Sequence, residues 1–124
     1  TAAAANALDW PLAGKTGTVD DYTDAWFIGF DPRVTIGVWV GHDEKRPIGP
    51  GESGTTAALP IWIDIMRGYL ETVPDRETPP AFEPPGNVVF LSVDRATGQP
   101  SDAPTAITEA FISGTQPADV RFQD

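Results

Sequence analysis

The strongest structural signal in this chain is the segment Ala25-Trp-Phe-Ile-Gly-Phe-Asp-Pro-Arg-Val-Thr-Ile-Gly-Val-Trp-Val40. Two runs rich in β-branched and aromatic residues, 25–30 and 34–40, flank a short link in which Pro32 presets the backbone for a turn. The segment therefore predicts a β-hairpin. Strand alternation gives each run one face of large apolar side chains, Trp26, Ile28 and Phe30 in the first and Val34, Ile36, Val38 and Val40 in the second. Glycines on the opposite faces leave room for another layer, so we predict a sheet that is covered on both faces.

Elements on either side of the hairpin complete a mixed pattern of helix and strand. The alanine-rich residues 2–8 predict the end of a helix, and residues 12–19 predict a strand with close backbone approach at its two glycines. Residues 55–72 have the spacing of an amphipathic helix that packs on the sheet, with the apolar stripe Leu59, Trp62, Met66, Tyr69 and Val73. The predicted fold class is α+β.

The composition changes sharply after Val73. Seven of the thirteen prolines fall between Pro74 and Pro104. We predict an extended proline-rich connector over 74–86 and a small β tail over 87–124, in which 88–93 and 106–112 form strands. Because an isolated hairpin is marginally stable in water, the tail is expected to dock elsewhere.

Charge and composition exclude several classes of function. Eight basic and eighteen acidic residues give a net charge of −10. Binding to nucleic acid or to an anionic membrane surface needs clustered cations, so neither is expected. The chain has no cysteine, which excludes disulfides, thiolate catalysis and zinc–thiolate sites. No apolar run reaches the roughly 18 residues of a membrane span, and no signal-peptide pattern stands at the start.

Three short patterns suggest a phosphate-binding or metal-binding site, but none has the residue spacing that such a site requires. Gly14-Lys-Thr16 ends like a phosphate-binding loop, but Asp9 stands where the first glycine is required. The single histidine of His42-Asp-Glu44 lacks the fixed spacing of a metal site. The acidic cluster at 20–24 lacks the ligand spacing and the glycine of a calcium loop. We therefore predict neither a metal nor a cofactor.

Residues 15–18, Lys-Thr-Gly-Thr, are informative because of the blocks of sequence that come after them. Lys-Thr-Gly on a strand is one of three motifs of the serine acyltransferases that recognise β-lactams. In order, the chain then carries Tyr22-Thr-Asp-Ala-Trp-Phe-Ile-Gly-Phe30, Gly37-Val-Trp-Val-Gly41, Ala57-Ala-Leu-Pro-Ile-Trp62, Val93-Asp-Arg-Ala-Thr-Gly98 and Glu109-Ala-Phe-Ile-Ser-Gly-Thr-Gln-Pro117. With these blocks it resembles the C-terminal part of the transpeptidase domain of class A, 1A-type penicillin-binding proteins. One block departs from the family: Gly51-Glu-Ser-Gly-Thr-Thr56, where Thr-Gly-Gly is more common.

The resemblance implies that residues 1–73 are the C-terminal portion of a serine transpeptidase/β-lactamase-like fold, antiparallel strands with a packed C-terminal helix. It implies a serine acyl-enzyme formed on the D-Ala-D-Ala end of a peptidoglycan stem peptide, or on a β-lactam, and resolved by an amine of a neighbouring stem. The residues expected to bind substrate are Lys15, Thr16, Gly17 and Thr18. Lys15 and the threonine hydroxyls would bind the substrate carboxylate, Gly17 would leave room for the substrate backbone, and the N–H of Thr18 would serve the oxyanion hole, so that Lys15 and Thr18 are the expected catalytic contributors.

The nucleophile that this chemistry needs is not in the chain. A Ser-x-x-Lys motif would need serine three residues before Lys15 or Lys45, where Leu12 and His42 stand, and no serine begins a Ser-x-Asn motif. We therefore expect both motifs, a glycosyltransferase domain and a membrane anchor on a preceding segment of the same protein, at the extracytoplasmic (periplasmic) face of the bacterial inner membrane. This chain alone is not expected to be active.

Two other hypotheses remain at this point. One is a non-catalytic envelope module that binds a peptide or a partner protein. The other is a fragment of a serine β-lactamase, which shares Lys-Thr-Gly but lacks the tryptophan-rich strands and the proline-rich tail.

Overall fold

The predicted hairpin is the centre of a three-stranded antiparallel sheet. A computed structural model describes residues 2–118 and separates two units, Thr1–Phe82 and Glu83–Asp124. The first unit contains a 3-10 helix, three strands in the order β1-β2-β3, a π-helical turn and helix α1. Their bounds are Ala2–Leu8 for the 3-10 helix, Ala13–Thr18 for β1, Asp24–Phe30 for β2, Thr35–Gly41 for β3, Gly54–Ala58 for the π turn and Leu59–Glu71 for α1. The α+β prediction is confirmed, and β1 and β3 are the edge strands.

The hairpin turn is held by the side chain of Asp31. One carboxylate oxygen accepts the N–H groups of Arg33 at 2.8 Å and Val34 at 2.6 Å, and the other accepts the indole N–H of Trp10 at 3.2 Å. Such bonds to the backbone two and three residues on are typical of an aspartate that opens a turn. Because Asp31 is buried, these three bonds replace the water that its carboxylate loses.

Helix α1 covers one face of the sheet. The core residues are Ala25, Phe27, Val38, Ala58, Leu59, Trp62, Ile63, Met66 and Leu70. At its centre the Trp62 ring lies 5.0 Å from the Phe27 ring, and its indole N–H donates to the carbonyl of Ile36 at 3.0 Å. A Cβ at Gly29 would lie 2.6 Å from the Trp62 ring. The predicted room over a strand glycine is therefore real at Gly29, and Trp62 fills it.

The opposite face of the sheet is open within residues 2–118, so the second covering layer stays a prediction and no described residue supplies it. Trp26, Ile28 and Trp39 on this open face are each 44–48% exposed. The 3-10 helix contributes Leu8 to the same core as α1 and leaves the other side bare. At one end of the open face, Phe82 packs edge-on against Phe30 with ring centroids 5.7 Å apart. That contact shows that the end of the first unit is not entirely unpacked, although 74–86 contain no helix or strand.

The helix predicted over 55–72 differs at both ends. It opens with the π turn, whose N-cap Ser53 accepts the N–H groups of Thr55 and Thr56, and becomes α-helical only at Leu59. The predicted stripe is confirmed at Leu59, Trp62 and Met66, while Tyr69 and Val73 are only partly buried. Ile63 and Leu70 take the remaining core positions, because an α-helix buries a face wider than one row of side chains. Residues 2–8, predicted as the end of an α-helix, form a 3-10 helix.

The second unit is a two-stranded antiparallel sheet of β4 (Val88–Val93) and β5 (Ile107–Ile112), as predicted. The turn after β4 is organised by Asp94, whose carboxylate accepts the N–H groups of Ala96 and Thr97. These bonds, that from Thr97 first, lower the pKa of Asp94. Residues 119–124 of the predicted tail lie outside the described residues. Within 2–118 no helix is long and apolar enough to cross a membrane.

Candidate active site

The four residues predicted to bind substrate lie together on β1, and within residues 2–118 one edge of that strand is free. β1 pairs only with β2 within the sheet, with Lys15 opposite Ile28 and Thr18 opposite Ala25. Just past the strand, the N–H of Val19 donates to the carbonyl of Asp24 at 3.4 Å. Because backbone groups alternate in direction along a strand, the N–H and C=O groups of Thr16 and Thr18 point away from β2. The edge therefore offers donors and acceptors to an extended peptide.

The ammonium group of Lys15 reaches this free edge. Its side chain is exposed and leaves the strand on the open face of the sheet, but Nζ bends back to donate to the carbonyl of Thr16 at 2.9 Å. Among the described residues the ion pair found is Arg67–Asp64. The ammonium of Lys15 thus has no acidic partner within residues 2–118, and an incoming anion would meet a positive charge that no carboxylate neutralises.

The hydroxyl of Thr18 is fixed from the opposite side. Thr16 and Thr18 leave the strand on the face where the π turn lies, and the N–H of Gly54 donates to Thr18 Oγ1 at 3.0 Å. A hydroxyl has one proton to donate and two lone pairs to accept. Since Gly54 occupies one lone pair, the Thr18 proton remains available to a ligand. Gly54 is not among the predicted site residues: the unusual block 51–56 marks this loop, but nothing in it indicates a contact with Thr18.

Two loops border the Thr18 end of the strand. Tyr22 has a positive φ of 52°, and its backbone is held by bonds from its N–H to the carbonyl of Val19 at 2.9 Å and from the N–H of Ile48 to its own carbonyl at 2.8 Å. Between the loops lies an open depression of about 830 Å³ lined by Asp20, Asp21, Tyr22, Thr23, Lys45, Pro47, Gly49, Pro50 and Gly51. The end of β1 therefore opens onto a broad surface.

Asp24, from the acidic cluster, is engaged in the sheet. Its carboxylate accepts the indole N–H of Trp39 and the hydroxyl of Thr23, both at 2.9 Å. These bonds, that of Trp39 first, hold the pKa of Asp24 below its ordinary value. In the following loop the guanidinium of Arg46 lies 3.3 Å from Nδ1 of His42.

Known proteins similar to this chain share one name, penicillin-binding protein 1A. No protein-family model matches it. It is 42% identical over 118 residues to penicillin-binding protein 1A of Aquifex aeolicus and 38% identical over 120 residues to that of Escherichia coli, matches that cover 94% and 86% of this chain. The crystal structure of penicillin-binding protein 1A from Haemophilus influenzae superposes with a TM-score of 0.74 at 33% identity and covers 87% of this chain. Over nearly its whole length, the chain is homologous to part of penicillin-binding protein 1A.

These similarities confirm two predictions. One is the resemblance to 1A-type penicillin-binding proteins, and the other is the fold of the C-terminal part of a transpeptidase domain. The chain spans only a small share of these proteins, 16% of the Aquifex aeolicus and Haemophilus influenzae chains and 14% of the Escherichia coli one. The similarity thus extends over nearly the whole of this chain, while the activity of the whole protein is a matter for proposal.

Proposed function

We propose that this chain forms the substrate-binding edge of a serine-type D,D-transpeptidase that cross-links peptidoglycan and is acylated by β-lactams. The observation that carries the proposal is the free edge of β1, where the ammonium of Lys15 and the backbone groups of Thr16 and Thr18 meet in a penicillin-binding protein 1A relative. The relatives do not favour the alternative of a non-catalytic module. The proposal includes the rest of the protein: a preceding segment with Ser-x-x-Lys, Ser-x-Asn, a glycosyltransferase domain and a membrane anchor at the extracytoplasmic face.

Substrate binding follows from the chemistry of the edge. An extended stem peptide pairs with the outward N–H and C=O groups of β1, and Gly17 carries no side chain toward it. The terminal carboxylate of the peptide takes a charge-assisted hydrogen bond from the Lys15 ammonium and a hydrogen bond from the Thr18 hydroxyl. On binding, the ammonium exchanges its bond with the Thr16 carbonyl for a bond with an anion.

Acyl transfer then needs a nucleophile and an oxyanion donor. The hydroxyl oxygen of the serine on the preceding segment attacks the carbonyl carbon of the D-Ala-D-Ala bond, and the outward N–H of Thr18 donates to the developing oxyanion. The C–N bond breaks, and the serine proton ends on the departing D-Ala amine. An amine of a second stem attacks the ester carbonyl carbon, the ester C–O bond breaks, and one amine proton passes to the serine oxygen. The new amide completes the cross-link. In a β-lactam the same step opens the ring, and the amine stays tethered.

The test is the second-order acylation of the full-length protein by a fluorescent penicillin. Lys15→Ala removes a charge-assisted bond and leaves the carboxylate poorly paired, a loss of ~2–4 kcal/mol, or roughly thirty- to a thousandfold in rate. Lys15→Arg is expected to restore only part of the rate, because a planar guanidinium does not replace a compact ammonium.

The matched control is Lys45→Ala, which removes the other lysine of the chain from an exposed loop. Its rate is expected to stay within about threefold of the parent, as for other exposed charges. Rates are compared only among variants whose melting temperature equals that of the parent protein. Equal rates for Lys15→Ala and the parent would refute the role given to Lys15, and a parent protein that no penicillin acylates would refute the function.

A further inference from the structure

We propose that Gly54 is a positioning residue, which directs the hydroxyl proton of Thr18 toward the substrate carboxylate. The inference rests on the proposed function, because it assigns a task to Gly54 in the same site. Gly54 would not touch the substrate: it acts through one hydrogen bond, from its N–H to Thr18 Oγ1 at 3.0 Å, across 36 residues of sequence.

The direction of the proton follows from the hydroxyl's limited capacity. A threonine hydroxyl rotates to suit its partners, and a single oxygen cannot present the same lone pair to two donors. With the Gly54 N–H on one lone pair, the O–H of Thr18 must point away from the π turn, since the group in line with it on that side is itself a donor. The carboxylate of the substrate is an acceptor, and by excluding the direction toward the π turn Gly54 favours the orientations of the proton that binding requires.

The close approach of Gly54 to β1 and β2 depends on its being glycine. Gly54 is buried, and a Cβ on it would lie 2.5 Å from the carbonyl oxygen of Trp26, 3.0 Å from that of Gly17 and 3.0 Å from Cβ of Thr16. All three neighbours belong to the sheet, and two are backbone atoms, so they cannot move aside as the end of a flexible side chain would. Any side chain at 54 must therefore lift the π turn away and lengthen the bond to Thr18.

The turn is itself fixed by a cap immediately before Gly54. The Ser53 hydroxyl accepts the N–H groups of Thr55 at 3.3 Å and Thr56 at 3.4 Å, and the N–H of Ser53 donates to Thr56 Oγ1 at 2.7 Å. With its own orphan donors satisfied in this way, the turn presents the Gly54 N–H to Thr18 in one direction. Ser53 therefore supports the same hydrogen bond without contacting Thr18.

A double-mutant cycle on the full-length protein tests this assignment, with acylation by a fluorescent penicillin as the readout. Gly54→Ala and Thr18→Val are each expected to lower the second-order rate by about ten- to a hundredfold, the range for loss of a hydrogen bond to a charged group. The half-saturating penicillin concentration should rise in both. Because both changes remove the same interaction, the double variant should lie within about threefold of Thr18→Val alone.

The control for a merely structural effect is Gly29→Ala. Its Cβ would be crowded to a similar degree, 2.6 Å from the Trp62 ring, but in the core and away from Thr18. It is expected to lower the melting temperature and to leave the acylation rate below that temperature within about threefold. A second probe, Ser53→Ala, adds no atom to the site. Introduced into the parent, Ser53→Ala removes the cap and should slow acylation a few-fold. Introduced into the Thr18→Val variant, it should leave the acylation rate unchanged.

Two outcomes would overturn the inference. One is that penicillin acylates both the Gly54→Ala and the Ser53→Ala protein at the parent's rate. The other is a double variant whose loss is the product of the two single losses, which would mean that Gly54 acts independently of the Thr18 hydroxyl. Either result, together with a parent that is acylated and a Lys15→Ala variant that is slow, would leave the proposed function standing. A parent that is not acylated would overturn both.

Discussion

Trp62 lies at the centre of the packing between α1 and the sheet. Its side chain is 1% exposed, its ring contacts Phe27, and its indole N–H satisfies the carbonyl of Ile36. Replacing a buried tryptophan by alanine costs about 3–5 kcal/mol, because the lost contacts leave a cavity. Trp62→Phe keeps most of the ring and loses the donor, for which about 1–2 kcal/mol is expected.

Hydrogen exchange of β2 and β3 in the full-length protein measures these costs locally. Amides that exchange only when this unit opens should exchange roughly two to four powers of ten faster in Trp62→Ala, and roughly five- to thirtyfold faster in Trp62→Phe. The matched control is Trp39→Ala, since Trp39 is 44% exposed and its hydrogen bond to Asp24 is at the surface. It should accelerate exchange about tenfold or less. Equal acceleration by Trp62→Ala and Trp39→Ala would refute the view that burial at 62 holds the helix on the sheet.

Two further predictions concern Asp24 and the tail. The folded pKa of Asp24 lies below the ordinary value of 3.8, so its contribution to stability is present above that pH and is lost as the pH falls through the folded pKa. Between about pH 5 and pH 3 the melting temperature of the full-length parent should therefore fall more than that of Asp24→Asn, and parallel curves would contradict this. A full-length protein that ends at Pro85 should keep its acylation rate within about threefold, because the hydrogen-bond partners of Lys15 and Thr18 lie in the first unit. A larger loss would mean that the tail supports the site.

Much of the candidate site could be predicted from sequence because its signals are local. Lys15–Thr18 form a contiguous strand motif, and the strands of the hairpin are long enough for their composition to identify them. Gly54 could not be predicted in this way. It carries no positive φ that a turn pattern would suggest, and the role proposed for it rests on a contact with a strand 36 residues earlier.

The sequence alone determined the three strands and helix α1 of the first unit and their order, since strand composition, proline positions and helical periodicity act over a few residues. The tertiary structure alone decided which face of β2 is buried. Both faces of that strand are rich in apolar side chains, so alternation could not choose between Phe27 on one face and Trp26, Ile28 and Phe30 on the other. Trp62 decides which face of β2 is buried, because its ring fits over Gly29 and beside Phe27 and cannot fit over the row of larger side chains. Packing of a bulky ring against an empty glycine position, a contact between residues far apart in the chain, therefore set the orientation of the sheet and with it the side on which Lys15 and Thr18 each leave β1.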